Sequence, residues 1–293
     1  MAVSMTRRVV LAGSLPGSLP GSLLGLPAFA DDVASRLADL ERRNGGRLGV
    51  SALDTRNGRQ LGYRADERFP LCSTFKFLAA AFVLARVDRG EEQLDRRVVF
   101  SESDLVTYSP VTKDHVGPNG LSMAEICDAA VTLSDNTAGN LMLASFGGPA
   151  ALTAYVRTLG DGITRLDRIE TELNEGTPGD PRDTTSPAAM LGTMQRLLVG
   201  DALSAGSREQ LVGWLVASKT GAKRLRAGLP THWRIGDKTG TGGNGSANDV
   251  AVAWPPAGAP ILVTVYFTGS TISDEARSAV IADAGRIVAA NLA

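Results

Sequence analysis

The first regular pattern of hydrophobic and polar positions in the chain is that of a helix. Val33, Leu37 and Leu40 recur at intervals of three or four residues, and the pattern stops at Asn44-Gly45-Gly46. This spacing puts the three apolar side chains on one face of a helix, and a run of asparagine and glycine is typical of a helix end. We therefore expect a first helix that begins after Asp32.

Two short strand-like runs follow this helix, and a long helical stretch comes after them. Residues 48–53 and 60–63 are joined through Asn57-Gly58, a dipeptide that tolerates the positive φ angles of tight hairpin turns. These runs predict an antiparallel pair. From Thr74 to about Trp214 most periodic segments are helical, with Ala, Leu and Met prominent.

Strand patterns return only near the end of the chain. Residues 250–254 and 261–267 are rich in β-branched and aromatic side chains and lie on either side of a turn at 255–258, before a closing helix around 274–291. The order is helix, strands, many helices, strands, helix. This order predicts an α+β fold in which an antiparallel sheet is flanked by the terminal helices.

The same order predicts a division of the chain into two domains. Residues 31–71 and 217–293 would form an α/β domain from both chain ends, and 72–216 would form an inserted all-helical domain. Since ligand sites are common where domains meet, we expect the working site at the seam between them.

The N-terminal thirty residues have the layout of an export signal. Arg7-Arg8 precede a weakly apolar stretch, and Ala28-Phe29-Ala30 precede the charged Asp31-Asp32. We expect cleavage after Ala30 and a periplasmic or secreted location. The arginine pair resembles a twin-arginine signal, but the export route and the true start stay open. No other stretch reaches the ~20 apolar residues of a membrane-spanning helix, so we expect no membrane association after processing.

Composition narrows the classes of function. The chain has 293 residues, of which 43% are hydrophobic, enough for one large or two modest domains. The 30 basic and 31 acidic residues leave a formal charge of −1, which argues against a nucleic-acid partner. His115, His232, Cys72 and Cys127 lie far apart without metal-ligand spacing, so we expect no metal site. We predict two buried thiols rather than a disulfide.

One pair of residues in the first long helix could carry chemistry. Ser73-Thr74-Phe75-Lys76 is the only S-x-x-K in the chain, and it opens the helical run that starts near Thr74. The three-residue offset puts Lys76 one turn beyond Ser73 on the same face, where the amine can bond the hydroxyl and accept its proton. Taken alone, a capping serine with a solvated lysine is the more frequent meaning of this pattern.

Two further short motifs lie on loops or strands. Ser134-Asp135-Asn136 falls between the helical runs 123–133 and 137–144, where these residue types are typical of a helix-capping loop. Lys238-Thr239-Gly240 follows an extended segment and precedes a glycine-rich turn and a strand, which predicts a sheet edge facing a groove. The same letters at Lys219-Thr220-Gly221 are followed by no strand, and we interpret that copy as a polar loop.

The order S-x-x-K, S-D-N, K-T-G marks class A β-lactamases and penicillin-binding proteins. From about Leu37 to Asn291 the chain resembles a class A serine β-lactamase. Three more segments look like segments of that family, namely 69–76, 108–111 and 182–185. The resemblance implies the α+β fold shared by β-lactamases and penicillin-binding proteins, a small-molecule β-lactam substrate, no cofactor and a monomer.

A fourth segment separates the two groups. The run 168–174 matches the family's R-x-E-x-x-L-N loop, which penicillin-binding proteins lack. An acyl-serine ester persists unless a water is oriented and deprotonated against it, and a carboxylate backed by an amide can do both. The resemblance implies that Glu170 is this base and Asn174 its partner. Two alternatives are a DD-peptidase and an antibiotic-sensing module, and both would stay acylated.

The resemblance also assigns the catalytic roles. Ser73 would attack the lactam carbonyl, and Ser134 would pass a proton to the leaving nitrogen. The base that accepts the Ser73 proton is either Lys76 or, through a water, Glu170; the sequence leaves this choice open. Backbone N–H groups of Ser73 and Thr241 would hold the oxyanion, where one donor is typically worth ~3 kcal/mol.

Substrate binding would fall to residues around the groove. By resemblance Asn136 would bind the substrate's side-chain amide, and Tyr108 would form an apolar wall. The substrate carboxylate needs a cationic site. The whole predicted substrate-binding set is Tyr108, Asn136, Asn174, Arg224, Lys238, Thr239, Gly240 and Thr241.

The arginine of the cationic site departs from the commonest pattern in the family. Many members carry it on the strand after K-T-G, but this chain has Ala247-Asn248-Asp249 there. Arg224 matches the position from which other members deliver the charge, and the alternative is an ordinary surface arginine.

Two smaller expectations follow from the resemblance. Arg168 would pair with Asp183 and hold the loop closed, whereas Glu172 and Glu175 would be solvated. We predict hydrolysis of penicillins and cephalosporins and thus β-lactam resistance, with extended-spectrum and carbapenem activity left open.

Overall fold

The computed structural model describes residues 26–292, with side chains from Asp32 onward. Residues 1–25 of the predicted export signal lie outside the described residues. The predicted cleavage after Ala30 falls within the backbone of the first helix, and it stays a prediction. Within the described part of the chain, none of the helices combines the length and the apolar character needed to span a membrane.

The described residues form helices and strands in an α+β order. The helices are α1 (Leu26–Asn44), α2 (Phe75–Asp88), α3 (Met123–Thr132), α4 (Asn136–Ser145), α5 (Pro149–Thr158), α6 (Pro187–Leu198), α7 (Ala205–Ala217), α8 (Leu225–Gly228) and α9 (Asp274–Leu292). The strands are β1 (Arg47–Asp54), β2 (Gln60–Tyr63), β3 (Phe69–Pro70), β4 (Arg97–Phe100), β5 (Gly117–Ser122), β6 (Thr184–Thr185), β7 (Arg234–Gly242), β8 (Ser246–Trp254) and β9 (Ile261–Thr268).

The main sheet is antiparallel and has the strand order β2-β1-β9-β8-β7. Its strands come from both ends of the chain, as predicted. The hairpin prediction is confirmed, since Val50 pairs with Tyr63 in register and Gly58 in the turn has a φ of +74°. Only a residue tolerant of positive φ fits such a turn without strain. Strand β7, which carries K-T-G, is an edge of this sheet.

The terminal helices cover one face of the sheet. The apolar positions Val33, Leu37 and Leu40 are at most 2% exposed and belong to the same hydrophobic cluster as side chains of α9 and of β1, β8 and β9. Full burial of such a side chain is worth about 1.5–3 kcal/mol. The predicted first and last helices are therefore confirmed, and their packing explains the spacing in the sequence.

A second hydrophobic cluster is built mainly from α2 to α7. Helix α2 is buried on nearly all sides from Phe75 to Ala85, which explains why its sequence is apolar all round rather than amphipathic. Cys72 and Cys127 are both free and buried, as predicted. The residue bounds proposed above for two domains stay a prediction.

The expectation that strands return only near the C-terminus is wrong. Strands β4 and β5 pair between α2 and α3, and β3 pairs with β6. The β4–β5 ribbon is short, half exposed and interrupted by a register shift between Val98 and Phe100. Gly117 and Gly120 both adopt positive φ in β5. Such a segment lacks the alternation of apolar residues that indicates a strand.

Candidate active site

The S-x-x-K serine lies on a short 3₁₀ turn, Cys72–Thr74, that runs directly into α2. The turn is anchored by the Thr74 hydroxyl, whose Oγ1 donates to the carbonyl of Leu71 at 2.7 Å. Ser73 is 7% exposed, and its Oγ accepts a hydrogen bond from Lys76 Nζ at 2.9 Å. The offset of three residues therefore brings amine and hydroxyl into contact.

The Lys76 ammonium is fully buried among oxygen atoms. Besides Ser73, its Nζ lies 2.6 Å from Asn136 Oδ1, 3.0 Å from the carbonyl oxygen of Ser134 and 2.8 Å from Glu170 Oε1. Burial lowers the pKa of Lys76, and the opposing charge of Glu170 limits that shift. The neutral amine is therefore more accessible near neutral pH than in an ordinary lysine.

Glu170 is 2% exposed and contacts both Ser73 and Lys76. Its Oε1 accepts from Ser73 Oγ at 3.3 Å, and its Oε2 accepts from Asn174 Nδ2. The Asn174 Oδ1 atom is buried without a hydrogen-bond partner among the described residues, so it is available to a water or a ligand. The carboxylate and the amide together can orient and deprotonate a water.

Asn140 fixes the backbone of Glu170 from α4. Its Oδ1 accepts from the Glu170 N–H at 2.8 Å, and its Nδ2 donates to the Glu170 carbonyl at 2.9 Å. Sequence reasoning missed Asn140. The available signal was its position one helical turn after Asn136, on the same face of α4.

The loop that carries Glu170 is held by a buried ion pair. Arg168 Nε lies 2.6 Å from Asp183 Oδ2, which confirms the predicted pairing. The Asp183 Oδ1 atom also accepts from the N–H groups of Asp167 and Arg168, at 2.7 and 2.9 Å. Glu172 is exposed, as predicted, whereas exposed Glu175 forms a second ion pair with Arg168.

The S-D-N motif combines a structural residue with two residues at the site. Asp135 caps α4 by accepting from the Ala138 N–H at 2.8 Å, so the capping interpretation holds for this residue. Asn136 donates through Nδ2 to the carbonyl of Thr107 at 2.8 Å. Ser134 has a φ of +61°, a conformation that costs a non-glycine residue about 1–3 kcal/mol and is concentrated at functional sites.

Strand β7 brings the K-T-G motif into contact with the S-D-N motif. Lys238 is fully buried, and its Nζ donates to Ser134 Oγ at 3.0 Å and to the Thr239 carbonyl at 2.8 Å. Burial, followed by repulsion from Lys76, holds the pKa of Lys238 well below its ordinary value. The Lys238 amine thus lies directly behind the Ser134 hydroxyl.

Arg224 reaches the K-T-G motif from just before α8. It is 9% exposed, and its Nη1 donates at 2.7 Å to the carbonyl oxygens of both Gly240 and Asn248. Its Nη2 donates to Thr241 Oγ1, also at 2.7 Å. The surface-charge alternative is therefore wrong, because the guanidinium is packed against K-T-G and its following threonine.

These side chains surround a cavity of about 350 Å³, a size suited to a small molecule. Tyr108 stands at its rim with 58% of its surface exposed. Lys76, Glu170 and Lys238 are buried next to residues that line it. The lining residues are Ser73, Tyr108, Ser134, Asn136, Asn174, Thr220, Arg224, Thr239, Gly240 and Thr241. Among residues 26–292, no His, Cys, Asp and Glu side chains form a cluster able to hold a metal ion.

Comparison with known proteins agrees with this geometry. A model of the β-lactamase enzyme family matches residues 32–292. The chain belongs to the class A β-lactamase family. It is 52% identical to β-lactamase AST-1 of Nocardia asteroides over 86% of this chain and 81% of the relative. It is 47% identical to β-lactamase CTX-M-25 of Escherichia coli over 96% of this chain and 97% of the relative.

The fold agrees with solved class A structures as well. The class A β-lactamase of the last common ancestor of Gram-negative bacteria superimposes with a TM-score of 0.87 at 63% identity, covering 88% of this chain and 98% of that chain. The predicted α+β class and the predicted family are confirmed, and the chain is a serine β-lactamase.

The K-T-G copy that we interpreted as a polar loop also contributes a residue to the cavity of this β-lactamase. Residues 219–221 do lie in a loop, but Thr220 lines the cavity, and its Oγ1 lies 2.6 Å from Thr239 Oγ1 in the true K-T-G. The loop interpretation was correct, but it missed the contribution of Thr220 to the cavity. No local signal marks Thr220, because its position depends on how the loop folds back against β7.

Proposed function

We propose that this β-lactamase hydrolyses the β-lactam amide bond of penicillins and cephalosporins through an acyl-enzyme on Ser73, and so confers resistance. One observation carries the proposal: the Ser73 hydroxyl lies 2.9 Å from Lys76 Nζ and 3.3 Å from Glu170 Oε1, with all three groups nearly buried. A serine hydroxyl in contact with an amine and a carboxylate has two potential bases within reach, and an adjacent base is what activates a serine as a nucleophile. Export by the twin-arginine or another route stays a prediction.

Acylation begins with attack by Ser73 Oγ on the lactam carbonyl. The new C–O bond pushes electrons onto the carbonyl oxygen, and the Ser73 proton passes to Lys76 or, through a water, to Glu170. The lowered pKa of Lys76 favours its neutral form as an acceptor. Backbone N–H groups of Ser73 and Thr241 hold the oxyanion, each donor being worth about 3 kcal/mol.

Collapse of the tetrahedral intermediate breaks the ring C–N bond. The departing nitrogen takes a proton from the Ser134 hydroxyl, which lies 3.0 Å from Lys238 Nζ, and Ser134 in turn recovers the proton that Ser73 released. Lys76 contacts the Ser134 backbone carbonyl, so the groups that take and give the proton are adjacent. The ester on Ser73 is the product of this half of the reaction.

Deacylation depends on Glu170 and Asn174. Glu170 deprotonates a water that Asn174 helps to orient, and the hydroxide attacks the ester carbonyl. The Ser73 oxygen then leaves and takes up the proton that Glu170 accepted. The buried, unpartnered Asn174 Oδ1 supports this role, since it can accept from the same water. The product is the ring-opened acid.

Substrate recognition follows from the walls of the cavity. The substrate carboxylate faces Thr239 and Thr241, with the guanidinium of Arg224 bonded to Thr241 behind them and Lys238 buried nearby. Asn136 binds the side-chain amide of the substrate. Tyr108 and Gly240 complete the rim and the floor, respectively.

The alternatives are a DD-peptidase and a sensor that stay acylated, and the Glu170–Asn174 pair favours the hydrolase over both. The test is turnover of a chromogenic cephalosporin by the full chain and by Ser73→Ala. We expect continuous turnover by the former and none by the latter. A single burst that stops after one equivalent would refute the hydrolase, and turnover by Ser73→Ala would refute the nucleophile.

A further inference from the structure

A buried asparagine on β8 contacts the backbone that leads into the nucleophile. Asn248 is fully buried and pairs in register with Gly240 of β7. Its Nδ2 donates to the carbonyl oxygens of Pro70 at 2.8 Å and Leu71 at 3.1 Å. These two residues immediately precede the 3₁₀ turn that carries Ser73. One side chain thus connects the main sheet to the nucleophile turn.

The main chain of the same residue connects to the arginine of the cavity. The Asn248 carbonyl accepts from Arg224 Nη1 at 2.7 Å, and the same nitrogen donates to Gly240. Asn248 therefore contacts both walls of the site, through its amide on one side and its carbonyl on the other. It lines no part of the cavity itself, so it does not reach the substrate.

The glycine of K-T-G makes this contact sterically feasible. A Cβ at Gly240 would lie 3.0 Å from the Leu71 carbonyl oxygen, 3.1 Å from Cys72 Cβ and 3.2 Å from Asn248 Nδ2. Each approach is tighter than ordinary van der Waals contact. The absence of a side chain at 240 lets the nucleophile turn and the amide approach β7 this closely.

Stability alone is a poor explanation for Asn248. Its Oδ1 is buried with no hydrogen-bond partner among the described residues. Leaving a buried polar atom unpaired costs about 1–3 kcal/mol, which offsets much of what the two donated bonds contribute. A polar group kept at such a cost points to a role in function.

We propose that Asn248 is a positioning residue that fixes the nucleophile turn against β7 and thereby sets the spacing between the N–H groups of Ser73 and Thr241. The inference rests on the proposed function, in which these two groups hold the oxyanion. Because oxyanion stabilisation depends on donors placed at hydrogen-bond distance, a small shift of the turn weakens both bonds together.

The test uses the full chain with Glu170→Ala, a background in which the acyl-enzyme accumulates. Into it we introduce Asn248→Ala, or Asn248→Ser as a smaller change should the alanine variant fold poorly. The control is Thr264→Val, which removes another fully buried donor of the same sheet, one that bonds Ser51 and Pro187. Stopped-flow acylation and the infrared stretch of the acyl-enzyme carbonyl are measured with penicillin.

We expect both Asn248 variants to acylate roughly 10- to 100-fold more slowly than the background, the loss typical of a misplaced reacting group. We expect their acyl carbonyl to absorb at higher frequency, because weaker hydrogen bonds polarise it less. Thr264→Val should lose thermal stability without either effect.

Unchanged acylation and an unchanged carbonyl stretch in a folded Asn248 variant would overturn the proposal, as would equal shifts in Thr264→Val. Failure of the proposed function is a different result. In that case either Glu170→Ala with Asn248 intact would accumulate no adduct at all, or the chain with Glu170 intact would itself stay acylated.

Discussion

Arg224 offers the most direct test of how the cavity binds its substrate. Arg224→Ala removes the guanidinium that bonds Thr241 Oγ1 and the carbonyl oxygens of Gly240 and Asn248. The positive charge behind the carboxylate subsite is lost with it. Two buried carbonyl oxygens also lose a donor, so we expect some loss of thermal stability in addition to the kinetic effect.

The magnitude follows from the kind of bond that is lost. A hydrogen bond to a charged group contributes about 1.5–3 kcal/mol. A central value of about 2 kcal/mol corresponds to a loss of about 30-fold in kcat/KM, since about 1.4 kcal/mol is tenfold. The carboxylate is bound alike in ground and transition states, so most of the loss should be a higher KM.

The assay is steady-state hydrolysis of benzylpenicillin beside a matched control. Lys223→Ala removes the adjacent but exposed charge, whose partner is Glu275 at 3.1 Å, and we expect a change of less than about twofold. A substrate with an esterified carboxylate should be insensitive to Arg224→Ala. Unchanged KM in the arginine variant, or an equal loss on the esterified substrate, would refute the reasoning.

Two further predictions concern buried carboxyl groups. Arg168→Ala leaves Asp183 buried without its ion pair, and we expect about 2–3 kcal/mol less unfolding free energy and a larger fall in kcat than in single-turnover acylation; unchanged thermal stability would contradict this. Burial, then repulsion from Asp237, raises the pKa of Asp249 well above its ordinary value. The contribution of Asp249 to the free energy of unfolding therefore falls as pH rises above about 4, and Asp249→Asn should remove that fall. The stability advantage of this variant in denaturant titrations should grow from about pH 5 to about pH 8, and a constant difference would contradict it.

The sequence predicts well those helices and strands whose regularly spaced apolar residues are buried in the fold. The faces of α1 and of the β1–β2 hairpin are buried at the positions that the spacing indicates. The β4–β5 ribbon was missed because it is half exposed and kinked, so pairing rather than side-chain burial defines it.

The residues of the site likewise fall into those that the sequence predicts and those that only the fold reveals. Motif spacing predicts contacts within one helical turn, and the Ser73–Lys76 bond is such a contact. Asn140, Thr220 and Asn248 act through partners 19 to 178 positions away along the chain. Only the folded arrangement reveals those partners.

The central claim is that an ester on Ser73 is released by water that Glu170 activates, and intact mass spectrometry tests it most directly. The full chain, Glu170→Ala and the Ser73→Ala/Glu170→Ala double variant are each mixed with benzylpenicillin and measured. We predict that Glu170→Ala gains the mass of one whole penicillin, because ring opening releases no fragment, while the other two show no lasting adduct. An unmodified Glu170→Ala that turns over normally, or an adduct on the double variant, would contradict the account.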